Sequence, residues 1–126
     1  MNPFSGRNEI AYALMRMSFG VLFACHGARK LFGVLGGNQA DNTLMWVAGT
    51  IEFVCGLLIA GGFFTSIAAF LCTALMLAAY YTHLNDGLIP IQNGGELALL
   101  YAFGFLYIAT KGSGIWSLDR KPLSQT

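Results

Sequence analysis

The feature that most constrains this chain is a succession of four long apolar runs, separated by short polar turns, between Ile10 and Thr110. Only 10% of the 126 residues are charged and 56% are hydrophobic, with a mean hydropathy of +0.60. A soluble domain of this size normally carries roughly a quarter charged residues, because a small globule has a large surface to cover. An ordinary soluble globule is therefore excluded. The 16 glycines would suit disorder only in a chain poor in apolar residues, which this is not. The net charge of +1, with no basic run longer than two residues as at Arg29-Lys30, offers no footprint for a nucleic acid. What remains is a small polytopic membrane protein, in which glycine lets helices approach closely.

The pattern predicts spans over about 10–31, 43–63, 66–81 and 96–110. A crossing of ~30 Å needs about 20 residues at 1.5 Å each, so the fourth run is short and must borrow from its flanks. The segment 36–42 is a polar turn, and Gly61-Gly62 makes spans two and three a tight antiparallel hairpin. The first run is too long for an ordinary secretion signal, and Phe23 before Ala24-Cys25 spoils a lipoprotein site, so it reads as a membrane helix. The expectation is all-α: an integral membrane four-helix bundle forming one domain over 1–126. Four spans put both termini on one side. Arg7, Lys111, Arg120 and Lys121 lie there, against Arg29 and Lys30 on the other, so the positive-inside rule makes both termini cytoplasmic. Cys25, Cys55 and Cys72, on three different spans, read as small core residues, and no metal-ligand spacing is present.

A charge inside a bilayer costs ~3 kcal/mol or more and needs a partner, water or a ligand. Arg16, Gly20, Phe23, Gly27 and Lys30 fall on one helical face, with His26 at its border, and Glu52 shares a face with Gly49, Cys55 and Gly56. Counted from the cytoplasmic ends, Arg16 lies ~9 Å and Glu52 ~16 Å deep, a gap an extended arginine can bridge. The expectation is a buried Arg16–Glu52 ion pair, which either fixes helix register or frames a headgroup or proton path. A second group shares one level near the outer surface: His26, Arg29, Lys30, His83 and Glu96. Here Lys30 is expected to pair with Glu96 at the start of a helix, Arg29 to snorkel to the interface, and Tyr80, Tyr81 and Tyr101 to act as interface anchors more than as ligand contacts. For His26 and His83 an interfacial hydrogen bond and a ligand contact both stand. With Asn93 beside a glycine-rich turn, His26, Lys30, His83 and Glu96 form the candidate ligand-binding set.

Signatures for covalent haem, iron–sulfur clusters and dinucleotides are lacking in the sequence. Two axial histidines to a b-type haem would be poorly enclosed in so small a bundle. A quinone asks less: one or two donors for its carbonyl oxygens and an apolar slot open to lipid, which histidine, lysine and tyrosine beside a glycine-lined groove can supply.

At this level of detail the motifs match a family. His26-Gly27-x-x-Lys30-x-Phe32-Gly33, Glu52 with Gly56, Gly62-x-Phe64-Thr65, Pro90-x-x-Asn93-Gly94-Gly95-Glu96-x-Ala98 and Gly112-x-Gly114-x-Trp116-Ser117-Leu118-Asp119 closely resemble, in order and spacing, the DoxX family of small bacterial membrane proteins. The resemblance spans Arg16 to Asp119 and implies a four-helix, multi-pass protein of the bacterial cytoplasmic (inner) membrane. The chain is similar also to the DoxD membrane subunit of thiosulfate:quinone oxidoreductase, from which the family's oxidoreductase label descends. One departure is Ser66, where the family usually has arginine, which leaves that hairpin uncharged. The expected function is a quinone-associated membrane subunit working with a separate redox partner that supplies the cofactor. The alternatives are a homo-oligomeric small-molecule binding or permeation protein and a scaffold that recruits a redox enzyme. Four short spans bury little core, so association with another copy or another subunit is expected.

Overall fold

The computed structural model describes residues 2–37 and 39–119; Asn38, Arg120 and Lys121, which entered the charge and loop arguments, lie outside them. All regular structure among these residues is helical: a 3-10 turn at Ser5–Arg7, then α1 (Asn8–Phe32), α2 (Thr43–Gly61), α3 (Thr65–His83), a 3-10 turn at Leu84–Asp86, α4 (Pro90–Asn93) and α5 (Glu96–Lys111). α1 packs on α2, α2 on α3, α3 on α5, and α5 back on α1.

Local chemistry sets the ends. α1 stops at Gly33, whose left-handed φ of 68° turns the chain out while its N–H caps Arg29 O. α2 begins at Asn42, whose side chain accepts from the Met45 amide. Pro90 opens the single turn of α4 at a position that needs no amide. Three helical stretches, Ser5–Phe32, Thr43–Gly61 and Thr65–Asp86, are long and apolar enough to cross a membrane. α5, with 16 residues, reaches about 24 Å and falls short on length. The expected boundaries shift by a few residues: α1 starts two residues before Ile10, and α2 ends at Gly61, two before Phe63.

The core is small and aromatic. Phe23 of α1 and Tyr101 and Phe105 of α5 pack against Ile59, Ala69, Cys72 and Ile108, and Phe23 meets Phe105 at 4.8 Å between ring centroids. Outward, Leu14, Val21 and Leu22 of α1, Val54 and Leu57 of α2, Ile67 and Phe70 of α3, and Leu100 and Phe103 of α5 are exposed. Apolar surface on every long helix is what a lipid solvent requires and water does not tolerate.

The antiparallel contact of α1 with α2 fixes the level of every polar group. A Cβ on Gly20 would strike the backbone of Ala60 and Gly56, and one on Gly27 that of Phe53 and Gly49. Glycines seven apart on both helices thus let the two backbones touch. This register brings Lys30 beside Gly49 and Arg16 beside Gly62, at opposite ends of the contact.

Candidate functional site

A cavity of about 210 Å³ opens at the end of the helices where α1 and α3 finish. Phe23, His26 and Lys30 come from α1, Glu52 from α2, Met76 and His83 from α3, Gly94 from the turn after α4, and Leu97, Ala98 and Tyr101 from α5. Lys30 Nζ donates to Glu52 Oε2 at 2.5 Å. Glu52 is only 2% exposed and its Oε1 has no hydrogen-bond partner, whereas the Lys30 side chain keeps 27% exposure. The His26 ring stands edge-on to Tyr101, 5.9 Å between centroids. His83 Nδ1 lies 3.2 Å from Asn93 O. Since a carbonyl only accepts, Nδ1 carries the proton, which in the neutral tautomer leaves Nε2 as an acceptor. The cavity has room for a small headgroup, whereas a haem or dinucleotide needs far more space.

Two pairings expected from the sequence are not formed. Arg16 does not meet Glu52, because the α1–α2 register sets Glu52 level with His26 and Gly27, about ten residues along α1 from Arg16 and roughly 15 Å away along the axis, where Lys30 reaches it from one turn further on. Counting depth from span ends put Arg16 and Glu52 only ~7 Å apart, a gap an arginine can bridge, and the register of the helix contact doubles it. Nor does Lys30 meet Glu96: Glu52 takes its ammonium, and Glu96 is exposed at the start of α5, outside the cavity wall. Of the expected ligand set, His26, Lys30 and His83 do converge on the cavity. Asn93 is buried but holds the turn: its Nδ2 donates to Gly87 O at 3.0 Å and its Oδ1 accepts from the Gly95 amide at 2.8 Å. Tyr101 is a buried wall of the cavity, not an interface anchor, while Tyr81 is exposed. Phe23 and Met76 carry no polar signal that would single them out, although Phe23 shares its helical face with Lys30.

Arg16 serves the other end. It is fully buried. Its Nη1 donates to Ser113 O at 2.6 Å and Ile115 O at 3.1 Å, and its Nη2 donates to Trp116 O at 2.7 Å. The segment 112–119 thereby folds back as a strap. Leu118 N and Asp119 N donate to Gly61 O and Gly62 O at the end of α2, and Asp119 accepts from the Phe64 and Thr65 amides at the start of α3, at 2.9 and 3.3 Å. The Ser113 hydroxyl donates to the same carboxylate. Burial alone would raise the Asp119 pKa. The hydrogen bonds from Ser113, from the two amides and from the Thr65 hydroxyl outweigh it and hold the carboxyl below its usual range.

Apolar surface on every long helix, around a cavity walled by α1, α2, α3, α5 and the turn after α4, defines a helical membrane protein with an internal cavity. Comparison with known proteins agrees. The chain belongs to the DoxX family, whose profile matches residues 11–85. It is 39% identical, over 130 aligned residues that cover 96% of this chain and 97% of the relative, to a Haemophilus influenzae protein described as uncharacterized. No solved structure matches.

Proposed function

We propose that the protein is a quinone-associated subunit of an oxidoreductase system, binding the headgroup of a small redox-active ligand in the cavity of His26, Lys30, Glu52, His83 and Tyr101. The observation that carries this reading is the convergence of polar side chains from α1, α2 and α3 on one small space whose other walls, Phe23, Met76 and Leu97, are apolar. Holding a charge pair there is costly for packing alone. The lining carries no redox group of its own, so a separate subunit supplies electrons. In this reading α5, with Leu100, Phe103, Leu106 and Tyr107 facing outward, is the fourth crossing of a single domain in the bacterial inner membrane.

Affinity for a short-chain benzoquinone, measured by fluorescence quenching in detergent, tests the assignment. His26→Ala and Lys30→Met should each weaken binding by about tenfold, the worth of one buried hydrogen bond. Glu96→Gln, outside the cavity, should leave it unchanged. Thermal unfolding of each variant checks that the fold survives. Equal affinity in all the proteins would overturn the site.

A further inference from the structure

Glu52 Oε1 asks for something specific. A buried acceptor without a donor costs free energy comparable to a lost hydrogen bond or more, and this oxygen has neither protein partner nor exposed surface. Its sister oxygen is taken by Lys30. Glu52 lines the cavity, and a donor seated there meets Oε1 once the carboxylate turns toward it. His83 adds a second acceptor in the same wall, because its Nδ1 proton is committed to Asn93 O. Lys30 is under no such demand: its remaining N–H groups reach solvent through the exposed part of its side chain.

We infer that the cavity selects the reduced, dihydroxy form of its ligand, an aromatic diol whose O–H groups donate to Glu52 Oε1 and His83 Nε2. The inference deepens, and rests on, the reading of the cavity as a redox-ligand site. A quinone in the same place offers only carbonyl oxygens, so it leaves Glu52 Oε1 unpaired and sets lone pairs against a carboxylate. The hydroquinone gives a charge-assisted hydrogen bond that the quinone cannot make. Tighter binding of the reduced form also raises the midpoint potential of the bound couple above that of the free one, by thermodynamic linkage.

The test compares three probes of nearly equal shape on the wild-type protein at neutral pH without oxygen: a short-chain benzoquinone, its hydroquinone and the dimethyl ether of that hydroquinone. The hydroquinone should bind about tenfold or more tightly than either of the others. In Glu52→Gln that advantage should shrink, and the wild-type series stands even if this variant fails to fold. Equal binding of quinone and hydroquinone, or of ether and hydroquinone, overturns the inference while leaving the cavity a ligand site. Failure of both quinone and hydroquinone to bind removes the functional reading and this selectivity with it.

Discussion

Arg16 and Glu52 are both buried charges, and each is balanced in a different way. Arg16 is met by backbone carbonyls of residues 113, 115 and 116, Glu52 by one ammonium. Replacing Arg16 with Met should therefore cost several kcal/mol, because three carbonyls lose their donor inside the protein, each worth about 1 kcal/mol or more. A double-mutant cycle on thermal stability in detergent separates the two networks. Lys30→Met and Glu52→Gln should couple by about 1 kcal/mol or more, since removing either partner strands the other. Arg16→Met and Glu52→Gln should add to within about 0.5 kcal/mol, as distant sites do. Strong coupling of Arg16 with Glu52 would contradict the register of α1 against α2.

At the scale of elements, the strap 112–119 performs what local sequence leaves undone. α3 starts at Thr65, and the residue before it, Phe64, is held at a left-handed φ of 51° and cannot cap a helix with its own side chain. Asp119 supplies the cap from 54 positions further along the chain. Gly62 is confined as well, with a φ of 73° and a Cβ position that Ser117 already occupies. The pKa of Asp119 is lowered in the folded chain, so the unfolded chain binds a proton at higher pH than the folded one does. The stability it contributes is complete above the ordinary carboxyl value of 3.8 and is lost as pH falls below it toward the depressed folded value. Asp119→Asn should lower stability at pH 7 by about 1 kcal/mol, a typical cap. It should also flatten the loss of melting temperature on acidification below pH 4, measured against wild type. A parallel acid slope in both proteins would assign that loss to other groups.

For the whole molecule the question is how many helices cross. The strap ties the segment after α5 to Arg16 near the start of α1 and to the α2–α3 turn, so α5 returns the chain to the end where α1 begins. If α5 lies in the bilayer as its exposed Leu100 and Phe103 suit it to do, reporters fused after residue 126 and ahead of residue 8 should both be active in the cytoplasm. A reporter at Gly36-Gly37 should then be active only outside. A C-terminal reporter on the outer side would mean that three helices cross and would place the strap in a different compartment from the one argued here.

Much of this was legible before any coordinates. Apolar runs of near-bilayer length, the polar turn over 36–42, the Gly61-Gly62 hairpin, and the facing of Phe23, Gly27 and Lys30 all follow from local chemistry and from the 3.6-residue period, which a sequence carries in itself. The level of His26, Lys30 and His83 followed too, because depth along a helix is a matter of counting. What counting could not supply is rotation and register between helices. Gly20 and Gly27 could have met α2 at several offsets, and the one adopted gives Lys30 to Glu52 and leaves Arg16 to the strap. Glu96, Asn93 and Asp119 show the same division: each is a polar residue at or beyond the end of an apolar run, and only the packing of distant segments made one exposed, one the staple of a turn, and one the cap of α3. Partner choice among polar groups in an apolar interior is a long-range property, since every group must be satisfied but several are within reach of the same charge.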